Sequence, residues 1–69
     1  MSALTALPSE YIGNTRKAAA MHVFKKTNQR DIKISLQWGI EVVSVFDGRE
    51  WVDYDTWMED GQYYFLLMQ

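Results

Sequence analysis

The chain has 69 residues, 48% of them hydrophobic and 14% aromatic, with a net charge of -2 and no cysteine. That suffices for one domain near the lower end of what folds alone, and without disulfides or thiolate ligands its stability must come from packing or from a partner. One histidine and scattered carboxylates are thin material for a metal centre, so neither metal nor cofactor is expected. No apolar run approaches the roughly 20 residues of a membrane span, and residues 1–8 lack the basic start and long apolar core of a signal peptide. The expectation is a soluble cytoplasmic protein without a membrane partner, a reducing compartment suiting a cysteine-free chain.

Residues 1–13 read as a leader. Gly13-Asn14-Thr15 then punctuates the chain, with Asn14 or Thr15 as N-cap of a helix over 14–28. At helical spacing Ala19, Ala20, Val23 and Phe24 form one apolar stripe, and Ala18, His22, Lys25 and Lys26 face away. Lys25 and Lys26 fall in the expected last turn, where positive charge complements the helix dipole. Small Ala19 and Ala20 allow close approach to a sheet.

Residues 31–69 read as that sheet. From Asp31 to Trp38, Ile32, Ile34, Leu36 and Trp38 alternate with Lys33, Ser35 and Gln37, the pattern of a half-buried strand. Gly39 turns the chain into Ile40–Phe46. A two-residue loop at Trp38-Gly39 pairs Ile34 with Val43, whereas a three-residue loop ending at Gly39 moves the isoleucines to the opposite face. Two Asp-Gly pairs, Asp47-Gly48 and Asp60-Gly61, signal hairpins, because type I′ loops require positive φ at both central residues. With two-residue loops, Phe46 lies opposite Arg49 and Val43 opposite Val52, while Met58 meets Tyr63 and Tyr54 meets Leu67. The expected fold is α+β, one N-terminal helix packed on a four-stranded antiparallel β-meander, the whole of 1–69 forming a single domain.

Both sheet faces are apolar. Val43, Val45, Val52, Tyr54, Met58, Tyr63, Phe65 and Leu67 share one. Ile40, Val42, Phe46, Trp51, Trp57, Tyr64, Leu66 and Met68 share the other, beside Asp53 and Asp55. One short helix covers one face. The second is then left open unless the leader, with Leu4, Leu7, Tyr11 and Ile12, folds over part of it, and large exposed apolar patches mark interaction sites. Phe46, Trp51, Asp53, Asp55, Trp57, Tyr64 and Leu66 are therefore the candidate partner-binding residues.

Catalytic patterns are missing from this sequence: there is no glycine-rich phosphate loop, zinc pattern or recognisable triad. Asp53 and Asp55 share a face, as a divalent-cation or acid/base pair requires, but acidic residues that keep a strand soluble have the same spacing. His22 sits on the outer helix face as an ordinary surface histidine. A binding protein is expected rather than an enzyme.

Charge is unevenly divided. Residues 1–40 hold six Lys/Arg against two carboxylates, and residues 41–69 one arginine against seven carboxylates. Arg16, Lys17, Lys25, Lys26 and Arg30 make the helix region the alternative, nucleic-acid-binding surface, giving weak, salt-sensitive binding. The acidic sheet repels phosphate and instead suits a basic groove on another protein. A homodimer through the open sheet face is a further alternative.

In size, composition and helix-then-meander order the chain resembles small phage-encoded inhibitors of the anti-CRISPR type, which disable host machinery. The resemblance carries no diagnostic motif and transfers no site residue. It implies a viral protein that acts in the host cytoplasm and blocks a nucleic-acid-handling complex through an acidic aromatic surface.

Overall fold

A computed structural model describes residues 6–10 and 15–68. In chain order these form β1 (Leu7–Pro8), α1 (Arg16–Val23), a 3-10 turn (Gln29–Asp31), β2 (Ile32–Gln37), β3 (Ile40–Phe46), β4 (Trp51–Glu59) and β5 (Gln62–Leu67). The fold is α+β, with an antiparallel sheet of five strands in the order β1-β5-β4-β3-β2. The expected meander accounts for four of them.

The fifth strand comes from the leader. Leu7 pairs with Phe65 and Pro8 with Tyr64, and the contact is completed by Ser9, whose N–H donates to the Tyr63 carbonyl at 2.8 Å. The Ser9 hydroxyl in turn accepts the Tyr63 N–H at 2.9 Å, which satisfies both polar groups of a buried serine. Proline is tolerated here because β1 is an edge strand. The leader thus extends the sheet sideways, with Leu7 on the helix side. Leu4, Tyr11 and Ile12, like the alternative N-cap Asn14, lie outside the described residues.

Thr15 caps α1, its hydroxyl accepting the Ala18 N–H at 3.1 Å. The helix ends at Val23, five residues earlier than expected. Lys25 adopts φ 54°, and the Lys25 and Lys26 N–H groups donate back to the His22 and Met21 carbonyls, a Schellman-type stop with lysine where glycine is usual. Lys25 and Lys26 therefore lie beyond the last helical turn.

The stripe on α1 packs as expected. Ala19 and Ala20 are fully buried against Ile32, Val43, Val45 and Phe65, with Phe24 set edge-on to Phe65 at 5.4 Å and against Tyr54 at 4.6 Å. Small side chains on the helix allow this close contact.

Three hairpins set the register. Trp38 (φ 57°) and Gly39 (φ 77°) form a two-residue loop, so Ile34 pairs with Val43 and the isoleucines lie on the helix side. Asp60 (φ 52°) and Gly61 (φ 78°) do the same, placing Met58 opposite Tyr63 and Tyr54 opposite Leu67 as expected. The first Asp-Gly pair behaves differently. Phe46 pairs with Trp51 rather than Arg49, and Val43 with Tyr54 rather than Val52, so this loop spans four residues.

Asp47 is the reason. Its carboxylate accepts the Arg49 and Glu50 N–H groups at 2.8 and 2.9 Å, while its own N–H donates to the Glu50 carbonyl at 3.0 Å. The aspartate closes a wider loop instead of occupying its centre. A shift of two residues preserves side-chain parity, so the expected faces survive the changed register.

The same hydrogen bonds make the loop pH-sensitive. The Glu50 and then the Arg49 amides, aided by the charge of Lys26, hold the Asp47 carboxyl below its ordinary value of 3.8. A depressed folded pKa stabilises the fold above the unfolded pKa, and that contribution disappears as pH falls through the folded value. Asp47→Asn keeps an acceptor but loses the charge. Urea midpoints should therefore separate parent from variant at pH 7 and converge below pH 3.8; equal separation at both would refute the assignment.

Candidate partner-binding surfaces

The second sheet face assembles the predicted residues, but in a tighter form than an open patch. Val42 is fully buried there although α1 lies on the opposite side, so neighbouring side chains close over it. Phe46 packs on Trp51 at 5.3 Å, and Trp57 stacks on Tyr64 at 5.6 Å with an interplanar angle of 9°. Phe46, Trp57, Tyr64 and Leu66 are each half-buried, and only Trp51 among the candidate aromatics reaches 39% exposure.

Asp53 and Asp55 sit between the ring pairs, and Glu59 ends β4 beyond Trp57. Asp53 accepts the Ser44 hydroxyl at 2.7 Å, Asp55 accepts the Thr56 N–H at 3.1 Å, and Glu59 accepts the Trp57 indole N–H at 3.2 Å. Among the described residues no ion pair neutralises Asp53 or Asp55. Nor does any group of three His, Asp or Glu side chains there gather as a metal site would require. The face offers hydrogen-bond acceptors and negative charge beside aromatic edges.

The basic set does not stay together. Arg16 pairs with Glu41 and lies over the Tyr63 ring at 5.0 Å. Lys26 borders a cleft of about 250 Å³ at the helix C-terminus with Phe24, Val45, Asp47, Val52 and Tyr54. Lys17 and Arg30 line a separate groove with Lys33, which the expected set omitted. Outside these clusters, His22 Nε2 stands 3.5 Å from a Glu10 carboxylate oxygen, a long-range pairing that proximity in sequence did not suggest.

Among the described residues the most exposed apolar surface is the β2–β3 hairpin tip, absent from the expected site. Trp38 is 98% exposed, Leu36 71%, Ile40 53% and Ile34 40%. Trp38 sits in the loop and Ile40 on the face away from α1, and element lengths explain Ile34 and Leu36: an eight-residue helix runs about 12 Å, whereas six strand residues run about 20 Å. The helix covers Ile32 and leaves the rest of β2 projecting. Residues 34–40 carry no charge. The Trp-Gly dipeptide was the available signal, since a two-residue loop turns Trp38 out of the strand's alternation.

Comparison with protein-family models, with curated proteins and with solved structures finds no match. No helix among the described residues is long and apolar enough to cross a membrane.

Proposed function

We propose that this chain is a non-enzymatic protein-binding module, with the β2–β3 hairpin tip as its apolar anchor and the acidic aromatic sheet face as its charged flank. The observation that carries the reading is Trp38. A large aromatic residue is held at positive φ, where Asn or Gly fits better, and leaves nearly its whole surface in water. Tryptophan is also among the residue types enriched as interface anchors. Asp53 and Asp55 add unneutralised charge, which favours a partner with a basic surface. The resemblance to anti-CRISPR-type inhibitors makes a host nucleic-acid-handling complex the partner class to test first.

Trp38→Asn separates binding from folding. Asn-Gly suits a type I′ loop, so the variant should melt at or above the parent temperature. Its affinity for the partner should fall by at least about 2 kcal/mol, roughly thirtyfold in Kd. Titration calorimetry against purified complexes with basic grooves, together with Asp53→Lys/Asp55→Lys, measures both contributions. Partner binding that survives Trp38→Asn unchanged would refute the anchor. If the partner is a second copy, sedimentation at micromolar concentration should show a dimer that Trp38→Asn returns to monomer.

A further inference from the structure

We infer that the groove between the 3-10 turn and the start of β4 is a separate site for single-stranded nucleic acid. It measures about 580 Å³ and is lined by Lys17, Gln29, Arg30, Ile32, Lys33 and Trp51. That volume falls within the roughly 300–1,000 Å³ range of small-ligand clefts. Four elements contribute to it, which brings three cations together without a lining carboxylate. Asp31, although next to Arg30 in sequence, does not line it.

Two observations point to phosphate with an attached base, the first to the anion and the second to the base. The first is the placement of charge on α1. Arg16 and Lys17 occupy its first turn, which has no acidic residue, so side-chain charge and helix dipole both repel cations there and both attract phosphate. Glu41 pairs with Arg16, whereas Lys17 faces the groove. The second is Trp51. Phe46 packs against its ring at 5.3 Å, and the Lys33 ammonium lies over it at 4.3 Å. Lysine is a flexible, displaceable cover. A nucleobase can take its place on the indole while Lys33 swings to the adjoining phosphate, combining the stacking and charge that single-strand sites use. An acidic peptide would engage the cations and leave the ring unused.

This site is independent of the hairpin tip, although it shares Trp51 with the acidic aromatic face, and is tested by fluorescence anisotropy with labelled oligothymidylate and oligouridylate. Three phosphate contacts predict a log–log salt slope of about -2, or about fifteenfold weaker binding between about 50 and 200 mM salt. Arg30→Gln with Lys33→Gln should weaken binding at least tenfold and flatten that slope, a loss on the order of two phosphate contacts. Lys25→Gln with Lys26→Gln removes the same charge at the other end of α1 and should leave binding unchanged. Trp51→Leu, shown to be folded by circular dichroism, should weaken it by about tenfold, and Trp38→Asn should have no effect. The inference is overturned if no oligonucleotide binds at low salt, if the Lys25/Lys26 variant loses as much as the groove variant, or if duplex or polyglutamate competes as well as the single strand.

Discussion

Phe65→Ala should leave much of the protein unfolded at room temperature. Phe65 is fully buried, contacts Phe24 of the helix region edge-on, and pairs across the sheet with both Leu7 and Thr56. Removing a buried phenyl ring costs about 3–5 kcal/mol, because transfer energy is lost and a cavity remains. The whole stability of a chain of 69 residues is on the order of 3–10 kcal/mol at the usual value per residue. A single ring therefore accounts for a large part of it. Leu67→Ala, two positions on and 42% exposed, should cost far less. Urea titration of both variants followed by far-ultraviolet circular dichroism checks the contrast, and near-equal midpoints would show that the core is centred elsewhere.

The next largest effect is expected at the turn glycines. Gly61 has φ 78° and Gly48 φ 103°, a region that β-branched residues strongly avoid. A Cβ built on Gly48 meets nothing within 4 Å, so the penalty for valine there is conformational rather than a clash. Gly48→Val and Gly61→Val should each cost about 1–3 kcal/mol. For a domain of this size each kcal/mol lowers Tm by about 4–8 °C. Thermal melts matching the parent would mean that these loops do not need positive φ.

The two Asp-Gly pairs show how far local chemistry reaches. At Asp60-Gly61 the dipeptide occupies the centre of a two-residue loop, and the β4–β5 register follows directly. At Asp47-Gly48 the same dipeptide opens a four-residue loop, because the Asp47 carboxylate captures the Arg49 and Glu50 amides. Sequence alone does not distinguish these cases. Both nevertheless lead to the same sheet faces, since registers that differ by two residues preserve parity.

The candidate site was legible to a similar degree. Alternation placed Phe46, Trp51, Trp57 and Tyr64 on one face with Asp53 and Asp55, and the ring contacts follow that placement. Their exposure was not legible. Whether a side chain faces water depends on its neighbours in space, and Val42, which alternation places on the same face, is fully buried among them.

Local periodicity and turn chemistry in this sequence determined a helix opening at Asn14 or Thr15, its buried Ala19/Ala20 stripe, the meander and the membership of both sheet faces, because each depends on residues close together along the chain; the structure selected Thr15 as the cap and ended the helix at Val23. Tertiary structure alone decided the rest. β1 exists because Ser9 and β5 satisfy one another across 54 positions of sequence. Leu36 projects into water because a short helix meets longer strands, Trp38 because the two-residue loop turns it outward, and Ile40 because it lies on the face opposite the helix. Lys17, Arg30, Lys33 and Trp51 share a groove because four elements converge there, while Arg16 is withdrawn to Glu41. Such groupings depend on distances through space, which a one-dimensional pattern of charge and hydropathy does not encode.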